Sequence, residues 1–346
     1  MEYRDIIQKN FDCHSKVRWW SKFAFHFTDV RNAASILASG RMFSRAIAKN
    51  RNIMPNDNAS KQVIDLTDSK VISNVRFYFR PQTPTQYYNE GYKHPLLRFY
   101  GDSNANVPVP VFLLFDLEKM LSLPNVWFSE TGQAGRGTSL CSGIEAFSKL
   151  NFDYIYDNSS ERWTETKSYR HAEIHIPDFF DIDECITDIL CRNGIEQTTL
   201  LNLLREKASR ERYNRFKDII KVYTKDTFYE NGFFVQDCKY HRDSVSITFS
   251  DTRRAKEYIA KMLVKNSVTS MEPINACYHL EWLDCNNNIL KVVRVNSQLN
   301  IQQSISCKLS PLPNCERAER LGIKVFFDSK LMSYVICSLK DSEVLD

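Results

Sequence analysis

Polar and apolar residues alternate strictly over Val75-Arg76-Phe77-Tyr78-Phe79. The pattern predicts a strand with Val75, Phe77 and Phe79 on one face and Arg76, Tyr78 and Arg80 on the other. Pro81 and Pro84 end it. A second alternation sets Ala172, Ile174 and Ile176 against His171, Glu173 and His175. It predicts a strand whose polar face carries a carboxylate and two imidazoles. Near the N-terminus, residues 1–22 read as a short helical leader ending in Trp19-Trp20, and residues 23–28 as a strand. A helix follows: Thr28 or Asp29 can cap it, and Val30, Ala33, Ala34 and Leu37 recur at helical spacing. Gly40 sits where a C-terminal cap belongs. Val109 to Phe115 reads as a buried strand, Asp116 to Leu121 as a short helix and Trp127-Phe128 as a further strand.

Three stretches lack periodicity. Residues 41–70 read as a long loop with one helical turn, and residues 85–106 as an irregular connection. Gly132 to Thr138 is Gly-rich without the spacing of a dinucleotide or P-loop fingerprint, so a flexible loop is expected. After Pro177, Ile186, Ile189 and Leu190, then Leu200, Leu201, Leu203 and Leu204, predict a strand, a turn and a helix. A charged helix is expected over 207–222. From about residue 230 a new pattern begins: a strand at 245–249, an amphipathic helix at 251–264 and strands at 276–283, 289–297, 301–309 and 323–338. There is no internal repeat. The fold class expected is α+β, with one unit over residues 1–205 and an α+β accessory module over residues 206–346.

Composition narrows the class. The chain has 346 residues, 43% hydrophobic and 25% charged, which is ordinary for a soluble globular protein. No apolar stretch is long enough for a membrane span, and the first 20 residues lack the apolar core of a secretory signal. A cytoplasmic location without membrane partners is expected. Ten cysteines form no CxxC pair, so no zinc site is expected, and most thiols should be buried and reduced. The net charge of +4 is uneven: residues 1–100 hold 16 Lys+Arg against 8 Asp+Glu, residues 101–180 hold 6 against 11. The basic stretch could attract phosphates, or it could serve only solubility.

The candidate chemistry rests on order. His26, Tyr78 and Glu173 fall on three predicted strands, each within a longer motif. These are His26-Phe27-Thr28-Asp29 with Ile36-Leu37 and Gly40, then Phe77-Tyr78-Phe79-Arg80-Pro81-Gln82-Thr83-Pro84, then Val126-Trp127-Phe128-Ser129, and finally Arg170-His171-Ala172-Glu173. Together they resemble the DarT family of nucleic-acid ADP-ribosyltransferases over roughly the first 190 residues. The resemblance implies an ADP-ribosyltransferase-like split, mostly antiparallel two-sheet core with a cleft between the sheets. It implies a toxin that moves ADP-ribose from NAD, as co-substrate and without a metal, onto a base of single-stranded DNA or RNA. A protein antitoxin or an ADP-ribose-removing partner would neutralise it.

The same resemblance suggests site roles. Glu173, Tyr78 and His26 would be catalytic. His26, Thr28, Asn32, Gly40, Arg45 and Tyr78 would contact NAD. The segment 152–170 would present the acceptor, with Arg162, Trp163, Tyr169, Arg170 and Thr85 facing the strand. Interleaved aromatics and arginines suit stacking and phosphate contact. Two departures stand out. Thymidine-modifying members carry an Arg before the Tyr strand, where Ser60-Lys61-Gln62-Val63-Ile64-Asp65-Leu66 has none; Arg45 and Arg51 are candidates to replace it. Thr85 also stands where those members have a hydrophobic residue. Both departures point to a guanine-modifying branch. Transfer to protein, plain NAD hydrolysis, or a non-catalytic binding module are the competing readings.

Overall fold

The computed structural model describes residues 2–55, 72–98, 102, 106–133, 139–267, 269–303 and 306–340. The strand alternations build one seven-stranded sheet in the order β5 (Trp127–Ser129), β6 (Glu173–Pro177), β3 (Asn74–Tyr78), β1 (Phe23–Asp29), β4 (Pro110–Asp116), β8 (Ile186–Cys191) and β9 (Ile220–Val222). All neighbours are antiparallel except β8 and β9. Five of the first six residues of β4 are apolar and all six are buried, as expected of a central strand covered on both faces. Helix α1 (Tyr3–Cys13) and the turn that carries Trp20 pack under the sheet. A ribbon of β2 (Arg41–Phe43) and β7 (Phe179–Asp181) stands beside it.

Helix α2 (Val30–Ser39) begins and ends as its sequence requires. The Asp29 side chain accepts from the Arg31 N–H, and Gly40 closes the helix at φ 77°. Helix α3 (Arg45–Asn50) starts at a Ser44 cap, and α4 (Pro84–Asn89) at a Thr83 cap with Pro84 in its first turn. Short helix α5 (Leu117–Leu121) follows β4.

Several expectations are corrected. Residues 41–55 are not a loop with one turn but β2 followed by α3, held by Ser44 and by pairing with β7. The connection after Pro84 opens with α4, because the Thr83 side chain caps it. The charged helix expected over 207–222 is the tail of α6 (Gly194–Lys207), the short helix α7 (Arg210–Phe216) and strand β9. His171 lies in a 3-10 turn, Tyr169–His171, so β6 begins only at Glu173. Over the first 225 positions the described residues give one large sheet and the small β2–β7 ribbon beside it. Only Cys185, Cys191 and Cys238 are buried, since the other thiols fall on edges, turns and exposed faces. The sequence readings for Ser60–Leu66 and for 134–138 of the Gly-rich run lie outside the described residues.

The C-terminal half carries two more sheets. One is β10 (Val235–His241), β11 (Ser244–Phe249) and β14 (Ser306–Leu309). The other runs β13 (Ile289–Leu299), β12 (Ile274–Leu283), β15 (Arg320–Phe327) and β16 (Lys330–Ser338). Helix α8 (Arg253–Lys265) lies between β11 and β12 in sequence. The stretch 323–338 is therefore a hairpin rather than one strand, turning at Asp328 and Ser329, both at positive φ. The two halves share a core. Phe228, Leu331 and Tyr334 pack into the cluster built around the seven-stranded sheet. The Tyr334 N–H donates to Thr199 Oγ1 at 2.9 Å, and Asn202 donates to the Tyr334 carbonyl at 3.0 Å.

Candidate active site

Where β1 meets β3 the sheet opens. A single register pair, Phe25 with Tyr78, joins the two strands, whereas β1 and β4 pair along seven positions. Towards Thr28 and Asn74 the strands part, and a cavity of about 620 Å³ lies there. Its walls are His26, Phe27 and Thr28 of β1, Asn74, Val75 and Arg76 of β3, residues of α2, β2 and α3, among them Asn32 and Arg45, and Arg51 just after α3. His26, Thr28, Asn32 and Arg45 of the expected NAD contacts thus line one cavity. Gly40 does not line it. Its positive φ caps α2, and a Cβ there would sit 2.9 Å from the Arg212 guanidinium, so packing accounts for the glycine.

His26 donates from Nδ1 to the Arg76 carbonyl at 3.1 Å. A carbonyl only accepts, so this bond fixes the tautomer and leaves Nε2 as an acceptor. Removal from water depresses the imidazole to about 4, against the opposing pull of the Arg76 carbonyl, so His26 is neutral near pH 7.

Glu173 and Tyr78 are register partners on β6 and β3, which puts their side chains on one face. Burial and the neighbouring Glu173 raise the Tyr78 phenol, so it stays protonated. Thr85 of α4 stands beside the Tyr78 hydroxyl and acts to lower its phenol. Glu173 is 1% exposed. Neither Glu173 nor Tyr78 lines the cavity itself. The link is Arg76, a residue that the sequence reading placed on the right face without giving it a role. Its guanidinium lines the cavity and grips Glu173 with both forks, Nε to Oε2 at 2.9 Å and Nη2 to Oε1 at 2.5 Å. His175 Nε2 lies 3.2 Å from Glu173 Oε2. Burial alone would raise the Glu173 carboxyl, but Arg76 and His175 outweigh it and hold it at about 2.

The segment before β6 forms two helical turns, Phe152–Ile155 and Trp163–Thr166, and is fastened from inside. Arg80, fully buried, lies over the Trp20 ring at 4.5 Å. It donates to the carbonyls of Ile155 and Asp157 at 2.9 and 2.5 Å and to Asn158 Oδ1 at 2.8 Å. Arg170 corrects an expectation. It is 3% exposed and bonded to Asp157, Ser159 and Thr166, so its guanidinium is an internal strap rather than a phosphate contact. Trp163, half-buried, receives Arg170 over its ring at 4.9 Å and lies 6.3 Å from Tyr87. Arg162 lies over Tyr154 at 4.8 Å, and Tyr169 packs edge-on against Tyr154 at 5.0 Å. Among the described residues no group of three or more His, Cys, Asp or Glu could hold a metal ion. Among them, too, no helix is long and apolar enough to cross a membrane.

Glu173, Tyr78 and His26 thus stand on three adjacent strands, β6, β3 and β1, next to the cavity. The profile of one family, ssDNA thymidine ADP-ribosyltransferase, DarT, matches residues 25–224, more than half of the chain. The chain belongs to the DarT family, whose members are NAD-using ADP-ribosyltransferases. Similar solved structures include Thermus sp. 2.9 DarT in complex with ADP-ribosylated ssDNA, at 14% identity and TM-score 0.47 over 60% of this chain and 96% of that one. The same protein in complex with carba-NAD+ matches at 15% identity and TM-score 0.45, over 60% and 98%. Thermosipho africanus DarTG in complex with ADP-ribose matches at 15% identity and TM-score 0.41, over 53% and 47%. No curated protein matches the chain.

Proposed function

We propose that this chain transfers ADP-ribose from NAD to a base of single-stranded nucleic acid, with guanine as the acceptor. The observation that carries the reading is the buried Glu173 carboxylate, paired with Tyr78 in register and linked through Arg76 to the cavity. NAD would lie in that cavity. The neutral Nε2 of His26 accepts from a ribose hydroxyl, and Arg45 and Arg51 offer charge to the pyrophosphate. Tyr78 gives its ring to the nicotinamide end. As the nicotinamide–ribose bond breaks, nicotinamide leaves with the electron pair and positive charge develops on the ribose. Glu173 opposes that charge through the 2′-hydroxyl. A base nitrogen then attacks C1′, forming the new N–C1′ bond, and its proton passes to water.

Arg76 bears on the acceptor. A carboxylate held at about 2 is a weak base. It suits a nitrogen that attacks before losing its proton, such as the guanine amine, better than a thymine imide that must be deprotonated first. The second reading is thymine, since the family matched is that of ssDNA thymidine ADP-ribosyltransferases. The transferase unit in this proposal is residues 1–205 completed by strand β9, with the remainder as an accessory module. The β2–β7 ribbon would serve as the smaller sheet of the split core. The biological setting that goes with it is a cytoplasmic toxin checked by an antitoxin or an ADP-ribose-removing partner, with DNA or RNA as the strand. Mass spectrometry of a digested mixed-sequence oligonucleotide tests the acceptor. ADP-ribose on guanine is expected; ADP-ribose on thymine, or on protein alone, overturns the assignment.

A further inference from the structure

The C-terminal module meets the catalytic half at an aromatic seam. Tyr87 of α4 lies two residues beyond Thr85, which touches Tyr78. Around the Tyr87 ring stand Tyr88 at 5.2 Å, Tyr229 at 5.2 Å, Tyr258 at 5.6 Å and Trp163 at 6.3 Å. Tyr87, Tyr88, Tyr229 and Trp163 are only half-buried. Over this seam runs α8, which carries five Lys or Arg against one Glu. Arg254, Tyr258, Lys261 and Lys265 follow one another at helical spacing, so they form one stripe. Lys261 stands 5.5 Å from the Tyr87 centroid and Lys265 5.2 Å from that of Tyr88. The Tyr258 hydroxyl is buried and has no hydrogen-bond partner among the described residues.

Packing between modules needs apolar contact; it does not need a row of cations over partly exposed rings. A strand of nucleic acid needs both, because bases stack on aromatic faces while phosphates seek Lys and Arg. We propose that the α8 stripe and the aromatic seam extend the single-strand track from the catalytic cleft onto the C-terminal module. This rests on the function proposed above and gives the accessory module a role in gripping the strand beyond the modified base. The seam is continuous with both ends of the site: α4 leads from Tyr78, and Trp163 belongs to the segment that leads into Glu173.

The test uses the full-length chain, the double substitution Lys261→Gln/Lys265→Gln and its control Lys261→Arg/Lys265→Arg. Binding of a mixed-sequence single-stranded 20-mer is measured by fluorescence anisotropy across a salt series, beside a 5-mer. Each phosphate neutralised on a single strand contributes about 0.7 to the slope of log K against log salt. The Gln variant should therefore show a slope shallower by about 1.4 and an affinity for the 20-mer about tenfold lower at low salt. The 5-mer should lose much less, and the Arg variant should bind as the wild type does. An unaltered slope and affinity in the Gln variant, with a wild type that modifies the strand, overturns this proposal alone. A wild type that neither binds nor modifies any single strand overturns the proposed function and this extension with it.

Discussion

Glu173 and Arg76 set each other's chemistry. The bidentate Arg76 keeps Glu173 ionised and ties it to the cavity that Arg76 itself lines. The same contact controls protonation. Because the folded Glu173 sits below its ordinary value, it is ionised from about pH 2 upward. The stability it contributes is complete above the unfolded carboxyl value and is lost as pH falls towards about 2. With Arg76→Gln, burial acts with less opposition and the carboxyl rises. The acid limb of NAD turnover should then move upward, to a pH at which the wild-type profile is still flat. Superimposable profiles for the two proteins would contradict the role given to Arg76. Alternation put Tyr78 and Glu173 on the polar faces of their strands, and the order of the motifs with the family resemblance singled them out together with His26. The sequence could not show the clamp, because the register that brings Arg76 beside His175 and Tyr78 beside Glu173 is a long-range choice between strands about a hundred positions apart.

At the scale of elements, the acceptor segment is held by arginines that look in sequence like surface cations. Arg80 and Arg170 bond backbone carbonyls and Asp157, partners supplied by chain that is remote or irregular, and no pattern announces them. What remains open to a strand is Trp163, with Arg162 beside it. Truncating Trp163 to Ala should weaken binding of the strand by about 1–3 kcal/mol if a base stacks there. NAD hydrolysis without acceptor, followed in the same preparation, reports on the cofactor side. Loss of NAD affinity with intact strand binding would assign the segment to the cofactor instead. The cavity wall was also half legible. The α2 caps can be read from Asp29 and Gly40, whereas β2 is three residues long and forms only because β7 pairs with it.

At the scale of the molecule, the two halves are fused rather than tethered. Strand β9 completes the main sheet beyond residue 205, and Phe228, Leu331 and Tyr334 enter its core. Buried Glu90 accepts from the backbone N–H groups of Tyr229 and Glu230 at 2.9 and 2.6 Å. The chains cross at Gly91 and Gly232, where a Cβ on Gly91 would stand 2.1 Å from the Asn231 carbonyl oxygen, at a φ of 74°. Gly91→Ala should therefore destabilise the whole protein by about 2 kcal/mol or more, since it combines a left-handed backbone with a backbone clash. Denaturant unfolding measures it, and a midpoint equal to that of the wild type would contradict the crossing. Hydrophobic periodicity marked β11, β12 and β13, but it missed β10, overextended β14 and merged β15 with β16. It could not show that the hairpin of β15 and β16 closes on α6, because that contact joins residues more than 130 positions apart.

The most direct measurement incubates labelled NAD with the wild-type chain and with Glu173→Gln, against separate pools of single-stranded DNA, duplex DNA, RNA and protein. Glu173→Gln keeps the shape and removes the charge that opposes the oxocarbenium ion, at a cost of about 3 kcal/mol or roughly a hundredfold in rate. The wild type should label a single-stranded pool, and the variant should lose that label while retaining the fold and NAD binding. Label confined to protein, or undiminished transfer by Glu173→Gln, would contradict the account.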